Sequence, residues 1–325
     1  MGRNQRLAFP PVLESITDLT KSQIDNLLSL AQTFKVQSKA YNVFNPSWIR
    51  PPTIVTSFLE NSTRTKTSFA IAIQKLGASY IDFNTEKSSL QKGEGLEETL
   101  LTLANQGIDL IILRTSVSHQ LAEFKENPPL KIINGGDGTH QHPTQALLDL
   151  LTMLEDGAPL KGSTLAIIGD CAHSRVGHSL IDLLPQFGIK IILCGPKEFL
   201  PEAAPNEFVT MTQSRDEAIE KSDRLYLLRI QKERHDGEAT LAYESYPENY
   251  GVTYNLLEKM NKLIPVYHPG PANIGVEIGK CVMKSSLYQG YLQVKNSIYM
   301  RMAIVQSILE KGERNFGDDS NNHIV

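Results

Sequence analysis

Cysteine is scarce in this 325-residue chain: there are three, Cys171, Cys194 and Cys281, and no two stand at C-x-x-C or other metal-ligand spacing. That argues against a disulfide-stapled scaffold or a thiolate metal centre and fits reduced, buried thiols. No apolar run approaches the roughly 20 residues a membrane helix needs, and the N-terminus lacks a signal-peptide pattern, so a cytoplasmic location is expected. Positive charge is not in excess either. Lys and Arg number 32 against 36 Asp and Glu, a net charge of −4, which gives no basic surface for nucleic acid. An anionic substrate must then be held by locally clustered Arg and Lys. Neither G-x-G-x-x-G nor G-x-S-x-G occurs, so a dinucleotide fingerprint and a serine-nucleophile elbow are both missing. His140 and His142 have no third ligand at suitable spacing, so neither a metal nor another cofactor is expected.

What the chain does have is the makeup of a soluble globular protein, with 41% hydrophobic and 21% charged residues and a length that favours two domains. Its most informative stretch is Ser62-Thr63-Arg64-Thr65. Ahead of it Thr53-Ile-Val-Thr-Ser reads as a β-branched strand. Behind it Phe69, Ile73 and Leu76 fall at helical spacing, with Gly77 as the stop. A strand-to-helix turn exposes unpaired backbone N–H groups at the positive end of a helix dipole, and hydroxyls with a guanidinium add donors suited to a phosphate. The residues alone equally allow an ordinary Ser/Thr N-cap beside a solvated Arg.

The remaining chain alternates. Strands are expected at 78–83, 109–114, 131–134, 164–169, 190–194, 207–210, 224–229 and 263–267. Helices are expected from Thr20 through Phe34, at 96–105, near 119–125, through 143–154, at 178–187 and from about 286 to 310. Strands alternating with helices imply parallel sheets, with ligands beyond the carboxyl ends of the strands. The fold class expected is α/β: two doubly wound parallel-sheet domains joined by long helices, with the active site in the interdomain cleft. Gly157-Ala-Pro159 marks the boundary region, and the polar tail 312–325 is expected to be disordered.

Six blocks stand in one order: Ser62-Thr-Arg-Thr, Lys92-Gly-Glu94, His142-Pro-Thr-Gln145, His173-Ser-Arg-Val-Gly177, Arg229-Ile-Gln-Lys-Glu-Arg234 and His268-Pro-Gly-Pro271. Spanning about Phe58 to Glu277, they resemble the signature blocks of the aspartate carbamoyltransferase catalytic chains. That family joins carbamoyl phosphate to L-aspartate in pyrimidine biosynthesis. The resemblance implies a carbamoyl phosphate-binding domain at 1–150, onto which a C-terminal helix at about 288–311 packs back, and an aspartate-binding domain at 151–287. It implies that Ser62, Thr63, Arg64, Thr65, Arg114, His142 and Gln145 hold carbamoyl phosphate, with Arg64, Thr65 and His142 catalytic. Arg175, Arg229 and Gln231, together with Lys92, would hold aspartate. Pro269 and Gly270 would give backbone contacts, and Glu60 with Arg234 would brace the arginines. Ser88 and Lys92 would reach a neighbouring subunit's site in a homotrimer. Regulatory chains, a dihydroorotase and nucleotide effectors are left open.

Three positions depart from the family pattern: Gly95 where Thr is common, Thr115 where His commonly follows the Arg, and Ile274 where many members carry Arg. Ornithine carbamoyltransferase shares the phosphate turn, but its H-C-L-P and S-M-G segments are absent here, and Arg229-x-Gln231 suits a second carboxylate rather than a cation. A non-catalytic scaffold of the same fold would require loss of site residues, and the set is complete.

Overall fold

The computed structural model describes residues 8–38, 44, 46, 48–60, 62–83, 95–230 and 238–310, with the backbone alone at 238–243. Ser88, Lys92, Gln231, Arg234 and the 312–325 tail lie outside them.

Two all-parallel five-stranded sheets organise the described chain. The first has β1 (Val12–Leu13), β2 (Thr53–Phe58), β3 (Ser79–Phe83), β4 (Leu110–Thr115) and β5 (Lys131–Asp137), in the order β1-β5-β4-β2-β3. The second has β6 (Thr164–Ile168), β7 (Lys190–Cys194), β8 (Val209–Thr212), β9 (Arg224–Leu227) and β10 (Val266–Tyr267), in the order β10-β9-β6-β7-β8. The expected α/β class with two parallel sheets is what the chain adopts. Its central strands are covered on both faces and read as continuous apolar runs, such as Leu110-Ile-Ile-Leu113 and Ile191-Ile-Leu193.

Each sheet reverses its winding once. In the first the chain runs from β2 out to β3 and then returns past β2 to β4. In the second it runs from β6 through β7 to β8 and returns past β6 to β9. Such switch points open a crevice at the carboxyl ends of the strands on either side.

The helices are α1 (Lys21–Gln37), α2 (Thr63–Lys75), α3 (Leu96–Asn105), α4 (Pro143–Met153), α5 (Arg175–Leu183), α6 (Arg215–Glu220), α7 (Glu238–Asn249), α8 (Tyr254–Lys259), α9 (Lys280–Lys284) and α10 (Gly290–Leu309). A complete capping box starts α1, with Thr20 and Gln23 satisfying each other's backbone N–H groups. Every residue of α4 is buried, because α1, α5, β5 and α10 surround it. The long α10 packs on α1, α2 and α4 and touches β10.

Several boundaries differ from expectation. The helix expected at 178–187 begins at Arg175, because Ser174 Oγ caps it by accepting from Gly177 N–H at 3.0 Å. Beyond Leu183 it tightens to a 3₁₀ turn that contains Pro185. The last long helix starts at Gly290 rather than near 286, because Leu287 and Gln289 are drawn into backbone pairing with Val266. Only a short 3₁₀ turn, Ala122–Phe124, forms in the 119–125 stretch. The strand expected at 207–210 runs from Val209 to Thr212, and the one expected at 263–267 is only Val266–Tyr267, since Pro265 has no N–H to give a ladder.

A buried ion pair fastens the region near Gly157. Arg224 Nε and Nη2 donate to the two oxygens of Asp156 at 2.5 and 2.8 Å, Nη2 also to Ala158 O at 2.6 Å, and Tyr267 O–H donates to Asp156 Oδ2 at 2.7 Å. The connection from the first sheet to the second is thus tied to β9 and β10.

Candidate active site

The candidate residues gather at the two switch points. Glu60 and the Ser62 turn follow β2, and Arg114 stands near the end of the neighbouring β4. Arg175 follows β6, and Arg229 follows the neighbouring β9. Ser62 occupies the N-cap position of α2, yet its side chain makes no capping hydrogen bond. The first backbone N–H groups of the helix are therefore not taken up by that hydroxyl.

One carboxylate joins the two halves. Arg114 Nε donates to Glu60 Oε2 at 3.2 Å, and Arg175 Nη2 donates to the same oxygen at 2.8 Å. Both arginines also reach the end of β5 and the loop after it: Arg114 Nη1 to Gly135 O at 3.4 Å and Arg175 Nη1 to Gly138 O at 3.1 Å. At Gly136, φ is +112° and a Cβ would stand 3.2 Å from Arg175 Nε, so only glycine lets the guanidinium lie against this backbone. Glu60 was expected to brace arginines together with Arg234. The described part of that role is a bridge between Arg114 and Arg175.

His142 stands at the start of α4, where Pro143 opens the first turn. It is buried, its backbone N–H donates to Ser179 Oγ at 2.9 Å, and its ring Nε2 lies 3.5 Å from Thr65 Oγ1. Burial, then the fields of Arg114, Arg175 and Arg301, hold its pKa well below the usual histidine range. The ring is therefore neutral at pH 7, able to donate one N–H without adding charge.

One turn on, Gln145 Nε2 donates to Asp149 Oδ1 at 2.9 Å, which leaves the Gln145 carbonyl oxygen as the end that can accept from a bound amide. Asp149 also accepts from Gln293 Nε2 at 2.7 Å and from Tyr226 O–H at 2.6 Å. Burial raises its carboxyl to about 7 against these hydrogen bonds. Asp149 escaped the sequence reading. Its signal, an acid in the apolar run Ala146–Leu154, is the kind that marks a buried polar anchor.

The His268-Pro-Gly-Pro271 segment is shaped by His268 itself. Gly270 N–H donates to His268 Nδ1 at 2.8 Å, so the ring proton sits on Nε2 and faces Glu277 Oε1 at 3.1 Å. Glu277 Oε1 also accepts from Asn273 N–H at 2.6 Å. Gly270 has φ +68°, and a Cβ there would stand 2.8 Å from Arg64 Cζ and from Arg64 Nε. The loop of the second half thus lies directly on the phosphate-turn arginine of the first. Beside this contact is a cavity of about 390 Å³ whose lining includes Arg64, Gln145, Pro269, Gly270 and Arg301.

The structure therefore brings together Glu60, Thr65, Arg114, His142 and Arg175, and places Arg64 against Gly270 with Gln145 and Pro269 on the same cavity. Ser62 and Thr63 open α2 in this turn, and Arg229 stands two residues beyond β9 of the second sheet. Of the three departures, Gly95 N-caps α3 with ordinary extended backbone and open space around a Cβ. Thr115 is buried and donates to Val117 O at 2.8 Å, and Ile274 is exposed.

A two-sheet α/β protein whose arginines, neutral imidazole and helix N-terminus converge between the halves is built to bind small anions. The chain belongs to the aspartate/ornithine carbamoyltransferase family: residues 13–155 match its carbamoyl-P binding domain and residues 161–308 its Asp/Orn binding domain. It is 41% identical over 309 residues to the aspartate carbamoyltransferase catalytic subunit of Solibacter usitatus, covering 93% of this chain and 100% of that one. With the subunit of that name from Staphylococcus epidermidis it shares 37% identity over 301 residues, 92% and 99% of the two chains. Among solved structures it resembles the aspartate transcarbamoylase of Trypanosoma cruzi in complex with aspartate and phosphate, at 30% identity and a TM-score of 0.82, covering 93% and 97%. A further similar structure, the catalytic subunit of M. Jannaschii aspartate transcarbamoylase, gives a TM-score of 0.79 at 29% identity, covering 92% and 97%.

Proposed function

We propose that this cleft transfers the carbamoyl group of carbamoyl phosphate to the α-amine of L-aspartate, giving N-carbamoyl-L-aspartate and phosphate. The observation that carries the reading is the Glu60 carboxylate held between Arg114 and Arg175, with neutral His142 beside Thr65 in the same crevice. Residues 1–150, with the 288–311 helix, bind carbamoyl phosphate; the packing of α10 on α1, α2 and α4 supports that grouping. Residues 151–287 bind aspartate.

In this reading Ser62, Thr63, Arg64 and Thr65 take the phosphate through the start of α2, with Arg114 beside them. Arg64, Thr65 and His142 donate to the carbonyl oxygen, and Gln145 accepts from the carbamoyl amide. Arg175 and Arg229, with Gln231 and Lys92, hold the two carboxylates of aspartate, and Pro269 and Gly270 offer backbone groups. The amine attacks the carbamoyl carbon, the C–O bond to phosphate breaks, and the departing phosphate takes the amine's proton. Carbamoyl phosphate is already activated, so the reaction is carried by placement and charge. Removing one oxyanion donor typically costs about 3–4 kcal/mol, whereas holding two reactants in register contributes on the order of 7–11 kcal/mol.

The active assembly is a homotrimer in the cytoplasm, with Ser88 and Lys92 serving a neighbour's cleft. Edge strand β3, with Ile81 exposed, supports an interface on that side, and its chain continues into the segment that bears both residues. The test is a colorimetric assay of carbamoylated product from purified protein with carbamoyl phosphate and either aspartate or ornithine. Turnover with aspartate is expected. Turnover with ornithine alone would overturn the substrate assignment, and none with either would leave a non-catalytic scaffold.

A further inference from the structure

The loop between β5 and α4 sends its two histidines to different neighbours. His142 meets Thr65, whereas His140 stacks on His119, with ring centroids 3.6 Å apart and planes tilted by 37°. His140 Nδ1 donates to Asp137 Oδ2 at 2.9 Å, which leaves Nε2 bare and oriented. The same Asp137 oxygen accepts from the His119 backbone N–H at 2.9 Å. His119 is held at φ +62°, a conformation non-glycine residues adopt only when their surroundings impose it.

Glu14, just after β1, completes the group. It is buried, and Lys125 Nζ takes its Oε2 at 2.7 Å, but Oε1 is buried with no hydrogen-bond partner. One ligand atom each from Glu14, His119 and His140 lies within 4.8 Å of the other two. A buried carboxylate oxygen without a donor, facing two imidazoles, is an unmet demand for a cation.

We propose that Glu14, His119 and His140 bind a divalent transition-metal ion, of the zinc or cobalt type, with water in the remaining position. Two imidazoles and one carboxylate are a donor set that favours zinc, cobalt or nickel over magnesium or calcium. Asp137 already plays the part of the outer carboxylate that fixes a ligating histidine's tautomer. The charges agree as well. Glu14, Asp18 and Asp137 face this cluster with Lys125 as their ammonium partner, so two negative charges remain for a dication to neutralise. The ion would tie together the segment after β1, the loop after β4 and the loop that carries His142. It would act as a brace and take no part in the transfer.

The test uses the full chain stripped with a chelator and titrated with Co²⁺, read by visible d–d absorption, and with Zn²⁺ by calorimetry. One ion per chain is expected, together with a rise in thermal midpoint. His119→Asn, which tolerates the left-handed turn, and His140→Ala should each weaken binding tenfold or more and abolish the metal-induced rise. Cys281→Ser should bind as the parent does, which excludes the exposed thiol as the ligand. A parent chain that binds no stoichiometric ion would overturn the proposal, as would His variants that bind as tightly as the parent.

Discussion

Gly270 shows how one residue without a side chain can position another with a long one. Its φ of +68° suits glycine, and its missing Cβ is what allows the Arg64 guanidinium to lie against the backbone. Gly270→Ala should therefore act twice. The left-handed backbone should cost about 1–2 kcal/mol of stability, and Arg64 should be pushed from its donor position. If Arg64 supplies an oxyanion donor, the turnover rate should fall on the order of 10²–10³-fold. Arg64→Ala should give a similar loss, and the double variant little more, because both remove one interaction. Steady-state kinetics on the three folded variants check this. Near-parental activity in Gly270→Ala would sink the idea that this contact places Arg64. The donors at Ser62–Thr65 were legible in the sequence because they follow one another along the chain. The contact from Gly270 was not, because 206 positions separate it from Arg64 and only the folded halves bring them together.

Helix α4 links the site to the core, and Asp149 is where that link is charged. Its carboxyl takes hydrogen bonds from Gln145 in the site, from Gln293 on α10 and from Tyr226 on β9, so it touches both halves. Burial raises its pKa from 3.8 to about 7. A carboxyl raised in the folded state contributes stability that is fully present below the unfolded value and is lost as pH rises through the folded one. Above pH 7 the chain thus carries a buried anion, which Asn would not. Asp149→Asn keeps an oxygen for the two glutamines, and the Tyr226 hydroxyl can turn to accept from the new amide. Its thermal midpoint, measured from pH 5 to pH 8.5, should gain on that of the parent as pH rises toward 7 and then level off, by an amount worth about 3 kcal/mol. A constant offset across that range would show that Asp149 does not titrate there. The helix itself was plain from its apolar run and Pro143. Its burial on every face was not, because a short apolar run looks the same whether one side is covered or all are. The start of α5 was missed for a related reason: the Ser174 cap stands among loop-like residues, so Arg175 read as loop rather than first turn.

At the level of the assembled molecule, the alternation of strands and helices was enough to anticipate two parallel sheets, and the order of the site blocks along the chain placed them beyond strand ends. Strand order within each sheet was not legible, since the central strands all read alike as buried apolar runs, and it is the reversal at β2/β4 and β6/β9 that draws the arginines together. The same topology puts β3 at a sheet edge, one strand from the Ser62 turn, with its chain leaving at the carboxyl end where the site lies. The segment beyond it carries Ser88 and Lys92, and it can serve its own cleft or that of an adjacent copy. Mixing Lys92→Ala chains with Arg64→Ala chains separates the two cases. If each cleft combines one chain's Arg64 with a neighbour's Lys92, every mixed cyclic trimer regains one intact site. Equal random mixing then returns about one site in four overall, from parents that are each inactive. If Lys92 serves its own chain, every cleft in every hybrid lacks one of the two residues, and no activity returns however completely the subunits exchange. Native mass spectrometry of mixtures carrying a mass tag on one parent shows that exchange has occurred. An inactive mixture of demonstrated hybrids would assign the loop to its own cleft, while recovery near a quarter of the parental rate would place the complete site between subunits.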